Sequence, residues 1–258
     1  MKVPGSGPGP SSVSGAPPDG RATVDGSVAA WARPWLGLGM AAVFYVAAGF
    51  AALAWPQLTS GLGLWPFWAR SLVDVSGLLL IFAVGAFVVA RMAGPAVRRA
   101  LGIHIRPIDL ALGVFVALIA RSVVELVSPT TGNLAPAFAE TEFDRIATVL
   151  VLAVGSAVLA PIIEELFFRG AVQRLVHQLG LPTLGTVVAG FIAIVGTTVL
   201  FVLLHALPHG AAVPVTVLLP PLLMGVGAGV LVAITGRLGG ALVAHVLFNT
   251  AGVVLALV

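Results

Sequence analysis

The chain has 258 residues, 59% of them hydrophobic and 9% charged, with a mean hydropathy of +1.10, a formal net charge of +3 and no cysteine. A water-soluble domain of that composition could not cover its surface with polar groups, so the sequence is that of a polytopic membrane protein. Without cysteine there is no disulfide framework, thiolate nucleophile or Cys-ligated metal, and a positive balance resting on a few loop arginines is a topology signal with no nucleic-acid partner implied.

Residues 1–30 are rich in Gly, Pro and Ser and contain no apolar core of seven or more, so they are expected to form a disordered tail and not a cleaved signal peptide. The remainder, 31–258, reads as a single transmembrane domain. Seven hydrophobic stretches lie at roughly 35–55, 72–90, 108–127, 146–178, 183–207, 211–234 and 238–258, most near the ~20 residues that span a bilayer. Backbone groups in the bilayer core must be satisfied within the chain, so the predicted fold is all-α, a bundle of about seven to eight membrane helices. Arg33, the group Arg91, Arg98, Arg99 and Arg106, the pair Arg169 and Arg174, and Arg237 fall at alternate ends of these stretches. That pattern places the N-terminus and those loops on the cytoplasmic side of an inner or plasma membrane. The loop 128–145, with Glu140, Glu142, Asp144 and Arg145, is expected on the far side. No internal repeat is evident, which removes the best sequence support for an inverted-repeat transporter.

The fourth stretch carries the chemistry. Between Ile146 and the C-terminus stand only five formal charges, two of them the adjacent carboxylates Glu164 and Glu165. An acidic side chain in a membrane helix costs about 2.5–3.5 kcal/mol by insertion scales, so it persists because it has partners and a task. As a helix this stretch is about 50 Å long against a hydrocarbon core of about 30 Å, so it must tilt, kink or emerge. Pro161 is the expected kink, freeing the carbonyl four residues earlier and aiming the carboxylates. Glu165 and Arg169 share a helix face and can pair, whereas Glu164, turned about 100° away with Phe167 and Phe168 as next-turn neighbours, is the freer base.

Two further pairs complete the inventory. Phe201 and His205 lie on one face of the fifth stretch, His245 and Asn249 on one face of the seventh. Singly, each polar residue reads as interhelical packing. Jointly, a carboxylate, two histidines and an asparagine supply a general base, a polarising partner and two hydrogen-bond donors for an oxyanion, the requirements for hydrolysing an amide. One difficulty stands against this. In an up-and-down bundle His205 falls at the outer end of the fifth helix and His245 close to the inner end of the seventh, so either the fourth helix runs long or the proline-rich segment 208–221 is re-entrant.

The segments Glu164-Glu165-Leu-Phe-Phe-Arg169, Phe201-Val-Leu-Leu-His205 and His245-Val-Leu-Phe-Asn249 fit EExxxR, FxxxH and HxxxN. Their order resembles that of the CAAX prenyl endopeptidase and bacteriocin-processing (CPBP, Abi) family of intramembrane proteases, over a catalytic core at 146–258. The resemblance implies a cavity open to the cytosol in which Glu164 and His205 activate a water, His245 and Asn249 hold the oxyanion, and Glu165, Arg169 and Phe201 support them. It also implies a membrane-anchored peptide or protein substrate, of CAAX or leader-peptide type, met in the lipid bilayer. Elimination points the same way: no Asp follows Asp144, Ser156 is the one serine of the apolar half, and no HExxH occurs. A metal-free glutamate mechanism without cofactor is favoured; the alternative is a catalytic zinc held by Glu164, His205 and His245. A proton-coupled transporter or channel using the same residues as a relay, and a catalytically silent scaffold, are the other functional readings.

Overall fold

The computed structural model describes residues 31–130 and 141–256, so the tail expected at 1–30 lies outside the described residues. Among the described residues the chain is helical without strands and forms seven rods. These are α1 (Pro34–Leu58), α2 (Phe67–Ala90), α3 (Pro107–Val127), α4 (142–184), α5 (186–206), α6 (Val215–Thr235) and α7 (Gly239–Leu255). Each matches one predicted hydrophobic stretch. The helical run Glu142–His209 is 68 residues long and is divided at Gly185, whose φ of 71° lies in the left-handed region that costs glycine nothing. The turn between the fourth and fifth helices thus comes slightly later than the hydropathy profile puts it. Gly236, in αL conformation, closes α6 in the same way before the tight turn into α7.

The burial pattern is that of a bundle solvated by lipid. Large side chains such as Phe50, Leu118 and Phe191 are more than 60% exposed, while most buried positions of α1, α3 and α7 are small, among them Ala41, Ala48, Ala117, Ala120, Ala241 and Ala244. Lipid tails are as apolar as leucine, so membrane helices gain by close backbone approach over small residues and not by hiding large ones. α3 and α7 show the limit: a Cβ on Gly113 would lie 2.7 Å from that of Val243. The exception is an aromatic core in which Phe82, Phe167, Phe168 and Phe201, drawn from α2, α4 and α5, pack edge to face or tilted at centroid distances of 4.8–5.5 Å.

The arginine-bearing loops gather at one end of the bundle, but Arg169, counted with them in the charge pattern, is fully buried inside α4. Leu238 N–H donates to Gly102 O, Arg174 Nη2 to Gly236 O, Arg237 grips Asp109 with two nitrogens at 2.9 and 2.6 Å, and Trp31 N–H donates to Gln178. These contacts also resolve the depth conflict between the two histidines. α4 passes Arg174, level with the loops, and continues ten residues further, about 15 Å. α5 starts from that far end, so the roughly 28 Å from residue 186 to His205 bring that histidine to the level of Glu164, ten residues before Arg174. The fourth helix, about 65 Å long, runs longer than the 50 Å expected. The re-entrant alternative falls, because Pro220 and Pro221 lie inside the regular helix α6.

Candidate active site

α4 is not a uniform α-helix. It widens to π geometry over Ala153–Leu159 and again over Glu165–Gln173, with one α-helical turn, Ala160–Glu164, between. Widened turns occur where a helix presents groups to a site, and here the proline sits between them. In the first wide turn the Ala160 N–H reaches back five residues to Gly155 O. The next amide, which the same register would direct to Ser156 O, belongs to Pro161 and has no hydrogen. The carbonyl left for another helix is therefore that of Ser156, one residue earlier than a regular α-helix places it. Asn249 of α7 donates to it from Nδ2 at 2.8 Å.

The three motif segments converge on a cavity of about 270 Å³ lined by Glu164, Phe201, His205, His245 and Asn249, together with Ser156 and Ala160 of α4, Pro220, Pro221 and Met224 of α6, and Phe248 of α7. His205 Nδ1 lies 2.8 Å from Phe201 O; a carbonyl only accepts, so Nδ1 carries a proton, and in the neutral ring the lone pair is on Nε2. His245 stands between the two carboxylates. Its Nδ1 donates to Glu165 Oε1 at 2.9 Å and its Nε2 is 3.7 Å from Glu164 Oε2. Glu164 retains 14% side-chain exposure whereas Glu165 is fully buried.

Behind Glu165 lies a sealed layer. Arg169, also fully buried, pairs with Glu165 Oε1 at 3.3 Å, as the i,i+4 spacing predicted. Its guanidinium lies 4.6 Å from the centroid of Phe201 and 5.8 Å from that of Phe168, where the negative ring faces offset part of the charge. Phe201 is the hub: its carbonyl fixes His205, and its ring meets His205 and His245 edge on at 4.6 and 5.9 Å. The expected walls of Glu164 need correction here. The rings lining the cavity are Phe201 and Phe248, while Phe167 and Phe168 are fully buried in the aromatic core.

All four residues expected to carry chemistry share this cavity; Phe201 lines it with them, and Glu165 and Arg169 are buried behind the lining. Glu164, His205 and His245 line one space, yet among the described residues no three His, Asp or Glu side chains converge as the ligands of a metal ion do. The Ser156 carbonyl, the α6 prolines and Met224 escape sequence reasoning. Pro161 signals the first of these, but only once the π register is known.

The family model described as Rce1-like, type II CAAX prenyl endopeptidase Rce1-like, matches residues 146–251. The matched segment runs from α4 into α7 and contains every residue lining the cavity. No curated protein and no solved structure matches the chain.

Proposed function

From the match of residues 146–251 to the Rce1-like, type II CAAX prenyl endopeptidase model, we propose that the chain is an intramembrane endopeptidase of that family that hydrolyses a peptide bond of a membrane-anchored protein or peptide with a glutamate-activated water. The observation that carries this reading is His245 held between Glu165 and Glu164 at the edge of a cavity shared with His205 and Asn249. Glu165 fixes the ring through Nδ1, much as a buried carboxylate orients the histidine of a hydrolytic triad, and Arg169 holds Glu165.

In the proposed step Glu164 takes a proton from water as the oxygen attacks the scissile carbonyl carbon, with His205 Nε2 accepting the water's second hydrogen bond. The C–O π bond opens to an oxyanion, which receives the Asn249 N–H not committed to Ser156 and, when His245 carries its second proton, the Nε2–H. Glu165, fixed on Nδ1, accommodates its charge while Glu164 is protonated. Collapse of the adduct breaks the C–N bond, and Glu164 returns the proton to the leaving amine. No cofactor enters these steps. By the positive-inside rule the end bearing the arginine loops, and with it the N-terminus, faces the cytoplasm.

Glu164→Gln tests the base. In proteoliposomes presented with lipidated quenched-fluorescence peptides, turnover should fall by about 10²–10⁴-fold, with insertion and thermal midpoint unchanged. Wild-type turnover in this variant overturns the mechanism. A chelator should leave activity intact; reversible loss restored by one equivalent of zinc would instead make Glu164, His205 and His245 ligands.

A further inference from the structure

We propose that Pro161 is a positioning residue for Asn249, acting through the carbonyl of Ser156. The wide turn sends the Ala160 N–H to Gly155 O, and the amide that the register would next offer to Ser156 O is missing because residue 161 is proline. A part-buried carbonyl left without its helical donor takes another where one is in reach. The Ser156 carbonyl is therefore a fixed acceptor on the cavity wall, and it captures the one side chain of α7 that reaches it, Asn249 Nδ2 at 2.8 Å. The bond settles the orientation of the amide, since only the NH₂ group can donate to a carbonyl. One N–H is committed to α4, and the second remains for the cavity that Asn249 lines with Glu164 and His245. The same bond ties α7 to α4 one helical turn from His245, so both motif residues of α7 take their place from a gap in the backbone ladder of α4.

Proline here does more than bend a helix. With an N–H at position 161, Ser156 O would have an internal partner competing with Asn249, and the helix would be better bonded while the site was worse aligned. Stability and activity should consequently move in opposite directions, which a purely structural proline would not produce.

The inference rests on the reading of the cavity as a hydrolytic site, and its test separates the two. Thermal unfolding in detergent is compared for wild type, Pro161→Ala, Asn249→Ala and the double variant. Asn249→Ala should lower Tm in the wild-type background, where it strips Ser156 O of its partner, and lower it much less in the Pro161→Ala background. In turnover assays Pro161→Ala should lower kcat between about ten- and a hundredfold with KM unchanged, while its Tm equals or exceeds that of wild type. Additive Tm effects, or unaltered kcat in Pro161→Ala, overturn the proposal. Should Pro161→Ala fail to accumulate, Asn249→Asp, of equal size but without the N–H, must lower Tm; an unchanged Tm overturns the proposal equally. Coupled stabilities with no peptide cleavage by the wild-type protein would confirm the positioning contact and sink the proteolytic reading.

Discussion

α3 and α4 each carry an i,i+4 ion pair, with identical spacing and opposite circumstances. In α3, Arg121 Nη1 lies 3.1 Å from Glu125 Oε1, with 15% and 26% of the side chains exposed. Glu125 also takes the N–H and hydroxyl of Thr130 at 2.7 and 2.6 Å, and Arg121 donates to Phe248 O at 2.7 Å while lying 4.1 Å over that ring. In α4, Glu165 and Arg169 are both wholly buried, and Glu165 Oε2 and all three guanidinium nitrogens have no hydrogen-bond partner. The α3 pair is nearly complete and explains itself as packing. The α4 pair is left short in a medium where desolvation can exceed the Coulombic gain, and the group it holds in place is His245. A polar pair that is costly and under-satisfied marks the site; one that is satisfied marks a joint between helices.

The largest expected effect comes from breaking the α4 pair. Glu165→Ala leaves the Arg169 charge buried without its counter-ion and should lower stability by about 3–5 kcal/mol, read as denaturant or thermal unfolding of the purified protein. Replacing both partners, Glu165→Leu with Arg169→Met, removes both buried charges and should recover most of that loss. Turnover should stay absent in the double variant, because His245 has lost the acceptor on Nδ1. If the double variant cleaves peptide as wild type does, the pair is packing and the contrast with α3 disappears.

A smaller effect is expected on the other side of the comparison. Arg121→Ala removes one ion pair, one charge-assisted bond to Phe248 O and one aromatic stack, each worth roughly 1 kcal/mol in a partly exposed setting. Stability should fall by about 2–3 kcal/mol. Phe248 lines the cavity, so KM is the kinetic constant expected to rise, with kcat held. A kcat loss as large as that of Pro161→Ala would put Arg121 in the reaction and not in the joint.

Much of this was legible from residues alone, for reasons that differ by feature. The helices follow from hydropathy because the bilayer permits little else, and the i,i+4 phase of Glu165 and Arg169 survives even in a widened helix because the two positions still lie on adjoining turns. The convergence of Glu164, His205, His245 and Asn249 was readable as an inventory, but their depths were not. Hydropathy reports how much apolar sequence there is and not that α4 overruns the loops by ten residues before turning at Gly185. The exchange of partners around His245 was also hidden. Helical phase separates Glu164 from Glu165 by about 100°, yet an imidazole has nitrogens on two sides and spans them both. The Ser156 carbonyl was out of reach because Pro161 announces a missing donor, while the register that decides which acceptor goes unpaired is a property of the packed helix.

The least effect is expected from a third intrahelical pair, spaced i,i+3, and it fixes the lower end of the scale. Arg145 Nη2 approaches Glu142 Oε1 at 3.1 Å near the start of α4, with the side chains 52% and 74% exposed. The geometry is as short as that of the α3 pair, so distance alone would rank the two equally. Exposure separates them: at the surface each charge keeps its water, salt screens the attraction, and holding two long side chains together costs rotamer entropy. Arg145→Gln should accordingly shift stability by no more than about 0.5 kcal/mol and leave turnover at the wild-type rate. A loss as large as that of Arg121→Ala would mean that pair distance, and not the supply of solvent and second partners, orders the three pairs, and the inference from an under-satisfied pair to a functional site would fail with it.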